Sequence, residues 1–378
     1  MILKNATIIN VNETIENGYI EINDNLIVSI GKNYQGNDGI DLLGKYVLPG
    51  FIDFHVHGTN GVDVMDCTKE ALDTMRTSLP SEGTTSFLAT TLTMDKERIT
   101  KALKNVGDYK SDLPGSNIVG VHLEGPFINC KYKGAQNEAY IQKPSINLFE
   151  EYYEASNRRI KAVTYAVEEA GLEFTKHLSD LGVVPSVGHS AASMNDCVNH
   201  IEKGLKSITH FHNGQTPHHH RTPGVVSAGL YSDDIYTEII VDGVHLHKDT
   251  VKLVYKIKTR DRIMLITDAM SAKNLPNGNY MLGGLDVIKT DTEVRTLSGS
   301  LAGSILQISK AITNMIDFTG CTINDIVQMT SLNQATLLNL DSKIGKIKEG
   351  YVADLVVLDK DYSVLNTICQ GVSVFEKK

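Results

Sequence analysis

The middle of the chain alternates short apolar segments rich in β-branched residues with segments of helical periodicity, and this alternation constrains the fold most strongly. Segments 67–81, 95–106 and 149–156 space their apolar residues as amphipathic helices do. Two more helices are predicted after the last strand, over 304–318 and 324–338. Helices between parallel strands produce this pattern, and eight strands are what a closed (β/α)8 barrel needs. The predicted barrel strands are 51–56, 84–90, 118–123, 160–167, 183–188, 207–210, 236–241 and 263–267.

Both ends of the chain lack helical periodicity and show only short strands separated by turns. We expect these strands to pair into one small domain, with the barrel as a continuous insertion. The predicted fold class is therefore α/β, a TIM-type (β/α)8 barrel with a small β-sandwich domain built from both termini. The predicted domains are 1–49 with 345–378, and 50–344. The terminal strands are predicted at 3–9, 18–22, 26–30, 344–347, 353–358 and 371–375.

Charge and cysteine content exclude several classes of function. The chain has 36 Lys and Arg residues against 45 Asp and Glu residues, a net charge of −9, which disfavours nucleic acid or an anionic membrane as a partner. The first residues do not resemble a signal peptide, and no apolar run reaches the roughly 18 residues of a membrane helix. The 5 scattered cysteines never form a CxxC pair, which argues against disulfides or cysteine-bound zinc. We expect a cytoplasmic enzyme.

Polar side chains capable of chemistry occur at the ends of six predicted barrel strands. The C-terminal ends of barrel strands meet on one face, where catalytic groups of such barrels lie. The pattern therefore predicts a functional site on that face. The residues are His55 and His57 at strand one, Glu124 at strand three, His189 at strand five, His210 at strand six, His245 after strand seven and Asp268 at strand eight.

The histidines and Glu124 are predicted metal ligands. His55 and His57 are two residues apart on one strand, so both point to the same side. Imidazole nitrogen and carboxylate oxygen suit zinc, iron or a similar divalent ion. For each residue the alternative is a buried, hydrogen-bonded polar side chain. Asp268 ends an otherwise apolar strand, where it is predicted to act as general base; the alternative is a salt bridge to a loop Lys or Arg.

The loop that follows His210 holds further candidates. His218, His219 and His220 form a triplet between two prolines, as a second metal site or as solvated loop residues. A guanidinium such as that of Arg221 suits a phosphate or carboxylate, or forms a surface ion pair. No GxGxxG or GxxxxGK[ST] loop occurs, which disfavours nucleotide chemistry.

Several sequence strings are similar to a known family. Residues 47–53 running into 55–58 resemble the entry strand of the amidohydrolase superfamily. Nearly the whole chain resembles the N-acetylglucosamine-6-phosphate deacetylase family within it, and the Glu-Gly-Pro-Phe element at 124–127 is fairly specific. The strings that carry this resemblance are 121–128, 133–136, 188–190, 209–210, 242–245, 267–270, 300–304 and, near the C-terminus, 345–347 and 353–355.

The resemblance implies hydrolysis of N-acetylglucosamine 6-phosphate to glucosamine 6-phosphate and acetate. Glu124, His189 and His210 match the ligands of the principal metal, and the His55/His57 pair matches the ligands of a second ion in members that keep both histidines. Asp268 matches the catalytic acid/base, and His245 would hold the sugar or polarise the amide carbonyl. The matched substrate-binding positions are Ala135, Asn213, Gly214, Arg221, His245, Ala302, Gly303 and Ser304.

The resemblance also implies the cofactor and the assembly. One or two divalent ions per subunit are expected, with zinc the first choice and iron or manganese the alternatives. A homodimer is expected, in which Arg221 reaches the phosphate in the neighbouring active site. Gly214 stands where relatives have alanine, and His212 has no assigned role. The alternatives are a deacetylase of the galactosamine epimer, a cyclic-amide amidohydrolase, and a catalytically inactive barrel acting as an assembly protein.

Overall fold

The computed structural model describes residues 1–377. The chain begins with five strands that belong to one sheet, and turns rich in Asn, Asp and Gly separate them. The second of them buries every other residue from Gly18 to Ile22, as a sheet with one covered face requires. The strands are β1 (Ile2–Ile9), β2 (Thr14–Asn23), β3 (Leu26–Lys32), β4 (Ile40–Asp41) and β5 (Tyr46–Pro49).

Eight parallel strands form the second sheet, and each is almost wholly buried, as a barrel wall covered on both sides demands. A short hairpin, β7 (Gly58–Thr59) with β8 (Val62–Asp63), follows the first of them. The last strand continues into a parallel bridge between Val56 and Ala269, which closes the barrel. The barrel strands are β6 (Phe51–Val56), β9 (Thr84–Thr90), β10 (Asn117–Glu124), β11 (Ile160–Tyr165), β12 (Val184–Val187), β13 (Ser207–Ile208), β14 (Tyr236–Ile239) and β15 (Ile263–Leu265).

A helix follows each barrel strand, and side-chain caps fix where several of these helices begin. The Thr68, Asp95 and Ser145 side chains accept hydrogen bonds from backbone N–H groups in the first turns of their helices. The helices are α1 (Lys69–Ser78), α2 (Lys96–Asp108), α3 (Ile146–Ala155), α4 (Leu172–Asp180), α5 (Met194–Ile201), α6 (Val225–Tyr231), α7 (Lys248–Lys258), α8 (Ile308–Thr319), α9 (Ile323–Val327) and α10 (Asn333–Leu337). None of the helices in residues 1–377 has both the length and the apolar character that crossing a bilayer requires.

An antiparallel three-stranded sheet lies between the last barrel strand and α8, where no strand is expected from the sequence pattern above. Its strands are β16 (Gly278–Leu282), β17 (Leu285–Lys289) and β18 (Val294–Thr296). Three C-terminal strands then complete the first sheet: β19 (Leu355–Leu358), β20 (Val364–Cys369) and β21 (Val372–Glu376).

The predicted fold class is confirmed, because a parallel eight-stranded barrel stands beside a sheet built from both termini. β19 joins the two ends of the chain by pairing antiparallel with β5, Leu355 opposite Pro49. The terminal sheet has an apolar core of its own that includes Leu3, Ile20 and Leu355. The much larger second core fills the barrel and the layer of helices around it.

One predicted strand is wrong. Residues 344–346 form a bend in which Gly345 has a φ of 85°, outside the range of a strand, and residue 347 is irregular. Ile344 and Ile347 are nonetheless buried. The predicted helix over 324–338 is three consecutive segments, since a π-helical turn at Gln328–Leu332 separates α9 from α10.

A polar layer crosses the barrel interior below the C-terminal strand ends. His122 Nε2 lies 2.7 Å from Thr164 Oγ1, which lies 2.6 Å from Thr209 Oγ1. Thr209 Oγ1 in turn lies 2.7 Å from Ser186 Oγ. These four residues belong to neighbouring strands or follow them directly, so hydrogen bonds tie adjacent strands together beneath the site.

Candidate metal centre and substrate cavity

A cavity of about 360 Å³ opens at the C-terminal ends of the barrel strands, where the sequence predicts the site. His55, Ala302 and Ser304 do not line it; they are buried behind its wall. Arg221 is exposed and also lies outside the cavity lining. The other predicted residues line the cavity together: His57, Glu124, Ala135, His189, His210, Asn213, Gly214, His245, Asp268 and Gly303.

Glu124, His189 and His210 form the first of three groups of possible metal ligands; the third, His55 with His122 and Glu238, does not line the cavity. Glu124 Oε1 lies 3.2 Å from His189 Nε2 and 3.1 Å from His210 Nε2. The two imidazole Nε2 atoms are 3.0 Å apart. Three strand ends that are distant in sequence thus direct one ligand atom each to a common point.

His55, His57 and Asp268 form the second cluster, beside the first. The Nε2 atoms of His55 and His57 are 3.2 Å apart. Asp268 Oδ1 lies 3.2 Å from the Nε2 of His57 and 3.5 Å from that of His55. Glu124 Oε2 also lies 3.3 Å from His57 Nε2, so Glu124 borders both clusters.

The hydrogen bonds behind the histidines show that this donor set fits a cation. The Nδ1 atoms of His57, His189 and His210 face the backbone carbonyl oxygens of Thr90, Tyr132 and Asn213 at 3.3, 2.9 and 3.1 Å. Because a carbonyl oxygen only accepts, each Nδ1 carries the hydrogen, and Nε2 of the neutral ring keeps its lone pair. Lone pairs on two Nε2 atoms 3.0 Å apart repel unless positive charge lies near them. Residues of both clusters therefore suit a divalent metal ion.

The charges of the site also favour a bound cation. Burial alone would raise the pKa of Glu124, but the surrounding histidines, His55 first, hold it well below its usual range. Burial also opposes a charge on His57, yet hydrogen bonds to Asp268 and Glu124 raise its pKa well above the usual value. The centre is thus electronegative and attracts protons or a cation.

Backbone conformation places three of these side chains. His189, His210 and Asp268 have φ values of 46°, 30° and 48°, in the left-handed region that residues other than glycine rarely adopt. Each follows the end of a barrel strand, so this turn of the backbone redirects the side chain into the cavity. Local strain of this kind is typical of functional sites.

Two supporting side chains are not among the sequence-predicted site residues. Gln136 Nε2 donates to Glu124 Oε2 at 2.7 Å, while its Oε1 accepts from Thr93 N at 2.8 Å. Asp242 Oδ2 lies 2.6 Å from His245 Nδ1, and its Oδ1 accepts from the backbone N–H of His245 at 2.8 Å. Asp242 thereby fixes the His245 ring with its Nε2 edge turned away from this anchor.

Arg295, on strand β18, is another residue that the sequence pattern misses. It lines the cavity, and its guanidinium makes two hydrogen bonds to Glu293, at 2.8 and 2.9 Å, and one to Gly299 O at 2.7 Å. Within residues 1–377 it is the only Lys or Arg of the cavity lining. The three-stranded sheet therefore covers the site and contributes a positively charged side chain, Arg295, to it.

The loop after His210 contains no ligand cluster among the residues that the structure describes. The exposed His219 accepts hydrogen bonds at Nδ1 from the backbone N–H groups of Arg221 and Thr222, at 3.3 and 3.2 Å. His218 Nδ1 lies 3.0 Å from Ser227 Oγ. This agrees with loop histidines rather than a second metal site. His212 is half-buried, and burial lowers its pKa to about 4.

A barrel with histidine and carboxylate ligands at its strand ends is the architecture of a metal-dependent hydrolase, and residues 46–374 match the profile of the Amidohydrolase family. The chain therefore belongs to the amidohydrolase family. This family implies a divalent metal ion, for which the two clusters supply candidate ligands.

Within the family, the chain is similar over its whole length to N-acetylglucosamine-6-phosphate deacetylases. The one from Bacillus subtilis (strain 168) is 38% identical over 387 aligned residues, covering 100% of this chain and 98% of that one. A solved mutant of the Mycobacterium smegmatis deacetylase, in complex with N-acetyl-D-glucosamine-6-phosphate, superposes with a TM-score of 0.93 at 27% identity, covering 99% of each chain. An N-acetylgalactosamine-6-phosphate deacetylase from Escherichia coli O157:H7 is 37% identical over 86% of this chain and 87% of its own length.

Proposed function

We propose that this protein is a metal-dependent deacetylase that hydrolyses N-acetylglucosamine 6-phosphate to glucosamine 6-phosphate and acetate. The observation that carries the proposal is the convergence of Glu124, His189 and His210 beside Asp268 in one cavity. Full-length similarity to deacetylases of this substrate supports it.

We further propose that Glu124, His189 and His210 hold the principal ion, with zinc the first choice and iron or manganese the alternatives. His55 and His57 would hold a second ion. A divalent ion bound there supplies Lewis-acid polarisation of the acetamide carbonyl and activation of water. The phosphorylated substrate is ionic and does not cross membranes unaided, which supports action in the cytoplasm.

The chain's own residues supply the proton transfers and the orientation. Asp268 Oδ1 takes a proton from the attacking water and passes it to the nitrogen of the departing amine, so the C–N bond breaks to give acetic acid and a neutral amine. The carboxylic proton then passes to the amine, and the products leave as acetate and the protonated amine. His245, anchored by Asp242, presents Nε2 to the sugar or to the amide carbonyl. Ala135, Asn213, Gly214 and Gly303 shape the cavity around the sugar. Ala302 and Ser304 act from behind, since Ser304 N donates to Asp268 O at 2.7 Å.

Metal removal and replacement test the reaction and the substrate together. After chelation we expect acetate release to stop, because no ion polarises the carbonyl, and to return on addition of Zn²⁺, Fe²⁺ or Mn²⁺. Both epimeric 6-phosphates are assayed by acetate release, and the glucosamine epimer should have the higher kcat/KM. Higher kcat/KM for the galactosamine epimer would favour the alternative that the E. coli O157:H7 relative suggests. A folded, metal-loaded chain that releases no acetate from either would be an inactive barrel.

Phosphate recognition is proposed to involve a second copy of the chain. Arg221 is exposed and does not line the cavity of its own chain, which agrees with a homodimer in which it reaches the neighbouring phosphate. We expect Arg221→Ala to raise KM for the phosphorylated substrate about tenfold or more, since a hydrogen bond to a charged group is worth roughly 1.5–3 kcal/mol. KM for unphosphorylated N-acetylglucosamine should be unchanged in this variant. Arg295→Ala is the matched comparison, because Arg295 lines the cavity in the same chain.

Mixed dimers distinguish the two arrangements. Refolding Arg221→Ala chains together with Asp268→Asn chains creates dimers in which one site has both an intact Asp268 and a neighbour's Arg221. Acetate release with a normal KM should therefore reappear in the mixture. If Arg221 serves its own chain, no site in any dimer has both residues, and KM stays high.

A further inference from the structure

The four histidines of the two clusters are held from behind in different ways. Backbone carbonyl oxygens hold His57, His189 and His210. His55 alone faces a side-chain carboxylate, with its Nδ1 3.0 Å from Glu238 Oε2. The two ligand clusters do not by themselves explain why a charged side chain, Glu238, stands behind His55.

Glu238 lies in strand β14 with its side chain fully buried in the barrel. Its only partner among the salt bridges of residues 1–377 is His55; no Lys or Arg pairs with it there. Its Oε1 has no hydrogen-bond partner among the described residues. Burying such a carboxylate costs free energy, so a purely structural role would be served better by an apolar residue.

The second contact of Glu238 indicates the direction of its hydrogen bond to His55. Its Oε2 also accepts the backbone N–H of His210 at 3.3 Å, so this oxygen acts as an acceptor. The carboxylate form of Glu238 only accepts, so His55 Nδ1 is then the donor, which leaves the lone pair on His55 Nε2. That atom faces the second cluster, 3.2 Å from His57 Nε2 and 3.5 Å from Asp268 Oδ1.

We propose that Glu238 is a positioning residue that holds His55 in the tautomer and orientation required to bind a second divalent ion with His57 and Asp268. The proposal rests on the metal dependence proposed above. A carboxylate behind a metal-binding imidazole fixes the ring and strengthens its donor nitrogen. Because the same oxygen also holds the backbone of His210, Glu238 links the second ligand cluster to the first.

Two variants separate this role from simple packing. Glu238→Leu keeps a side chain of similar size but removes the hydrogen-bond acceptor, whereas Glu238→Gln keeps an acceptor oxygen. Ser186→Ala is the matched control, since Ser186 is a buried polar residue of the same barrel interior that contacts none of the ligands. Each metal-free protein is titrated with Zn²⁺ by calorimetry, the bound metal per chain is counted after dialysis, and the Co²⁺-loaded forms are compared by absorption spectroscopy.

We expect the wild-type chain and the Ser186→Ala variant to bind two ions. In Glu238→Leu the weaker ion should bind about 10- to 100-fold less tightly and its Co²⁺ spectrum should change. The tighter ion should be weakened less, because Asn213 O still holds the His210 ring at Nδ1. Glu238→Gln should restore most of the affinity. Wild-type binding of both ions by Glu238→Leu, equal weakening of both ions, or a wild-type chain that binds only one ion at saturating Zn²⁺ would each overturn the proposal. Acetate release is measured separately, so loss of the proposed reaction with two-ion binding intact is distinguished from failure of this proposal.

Discussion

Replacing Asp268 with asparagine is expected to lower kcat for acetate release by about 10²- to 10⁴-fold, the usual contribution of a general acid or base. Asparagine has nearly the same shape but cannot take a proton from the attacking water. The principal cluster of Glu124, His189 and His210 does not include Asp268, so the tighter ion should stay bound. The measurement pairs kcat with metal content per chain.

The same exchange at Asp180 is the control, because that residue pairs with Lys176 on the exposed surface of α4. It should leave kcat unchanged. A normal kcat in Asp268→Asn would remove Asp268 from the proton transfer. Loss of the tighter ion together with activity would instead assign Asp268 to binding of the principal ion.

The largest effect on stability is expected for Lys273→Met. Lys273 Nζ lies 2.6 Å from Glu82 Oε1, and the exposed fractions of the two side chains are 0% and 2%. Glu82 Oε2 also accepts the backbone N–H of Ile308 at 2.7 Å, where α8 begins. Removing Lys273 leaves a buried carboxylate without its cation, which costs about 3–5 kcal/mol. Urea unfolding measures the loss in free energy.

Two further variants test the cause of that loss. Lys176→Met breaks an ion pair whose side chains are 60% and 61% exposed, and should cost less than about 1 kcal/mol. Adding Glu82→Gln to Lys273→Met removes the uncompensated charge and should recover part of the stability. Equal losses for Lys273→Met and Lys176→Met would contradict the assigned role of the buried pair.

The barrel was predictable because its strands are buried on both faces and appear in the sequence as short apolar runs between helices. Strand β6 begins and ends as predicted, at Phe51 and Val56. The failure at 344–347 has the same origin, since Ile344 and Ile347 are buried without a sheet ladder. An apolar run reports burial, and only partners elsewhere in the chain decide whether a strand forms.

The three-stranded sheet had a local signal that the barrel pattern masked. Gly283 and Gly284 have φ values of 57° and 80° and join Leu282 to Leu285 across a two-residue turn. Paired glycines between strands are a strong hairpin signal. Arg295 lines the cavity from the last strand of this sheet. Because the sheet was not predicted, its positively charged side chain was not predicted either.

The candidate ligands were predictable because strand ends of a barrel share one face. Glu238 carried a usable signal too, as a lone carboxylate within an otherwise uncharged strand. Gln136 and Asp242 could not be recognised in this way, because they act through Glu124 and His245 from loops whose course depends on the whole fold. Arg221 stays a proposed phosphate ligand, since its role depends on a second chain.

We propose the domain division at 49/50 and 344/345. Strand β5 ends at Pro49 in the terminal sheet and β6 begins at Phe51 in the barrel, which supports the first boundary. On the C-terminal side, β19 begins the return to the terminal sheet at Leu355.

The pairing of β5 with β19 also orders events during synthesis. A ribosome makes β1 to β5 first, but the partner of β5 emerges only after every barrel strand has been translated. Until then the edge of β5 that β19 will cover stays open, with its backbone N–H and C=O groups available to any other strand. Delay or truncation late in translation therefore leaves an unpaired strand edge near the beginning of the chain. We expect nascent chains stalled before β19 to be the species most prone to aggregate.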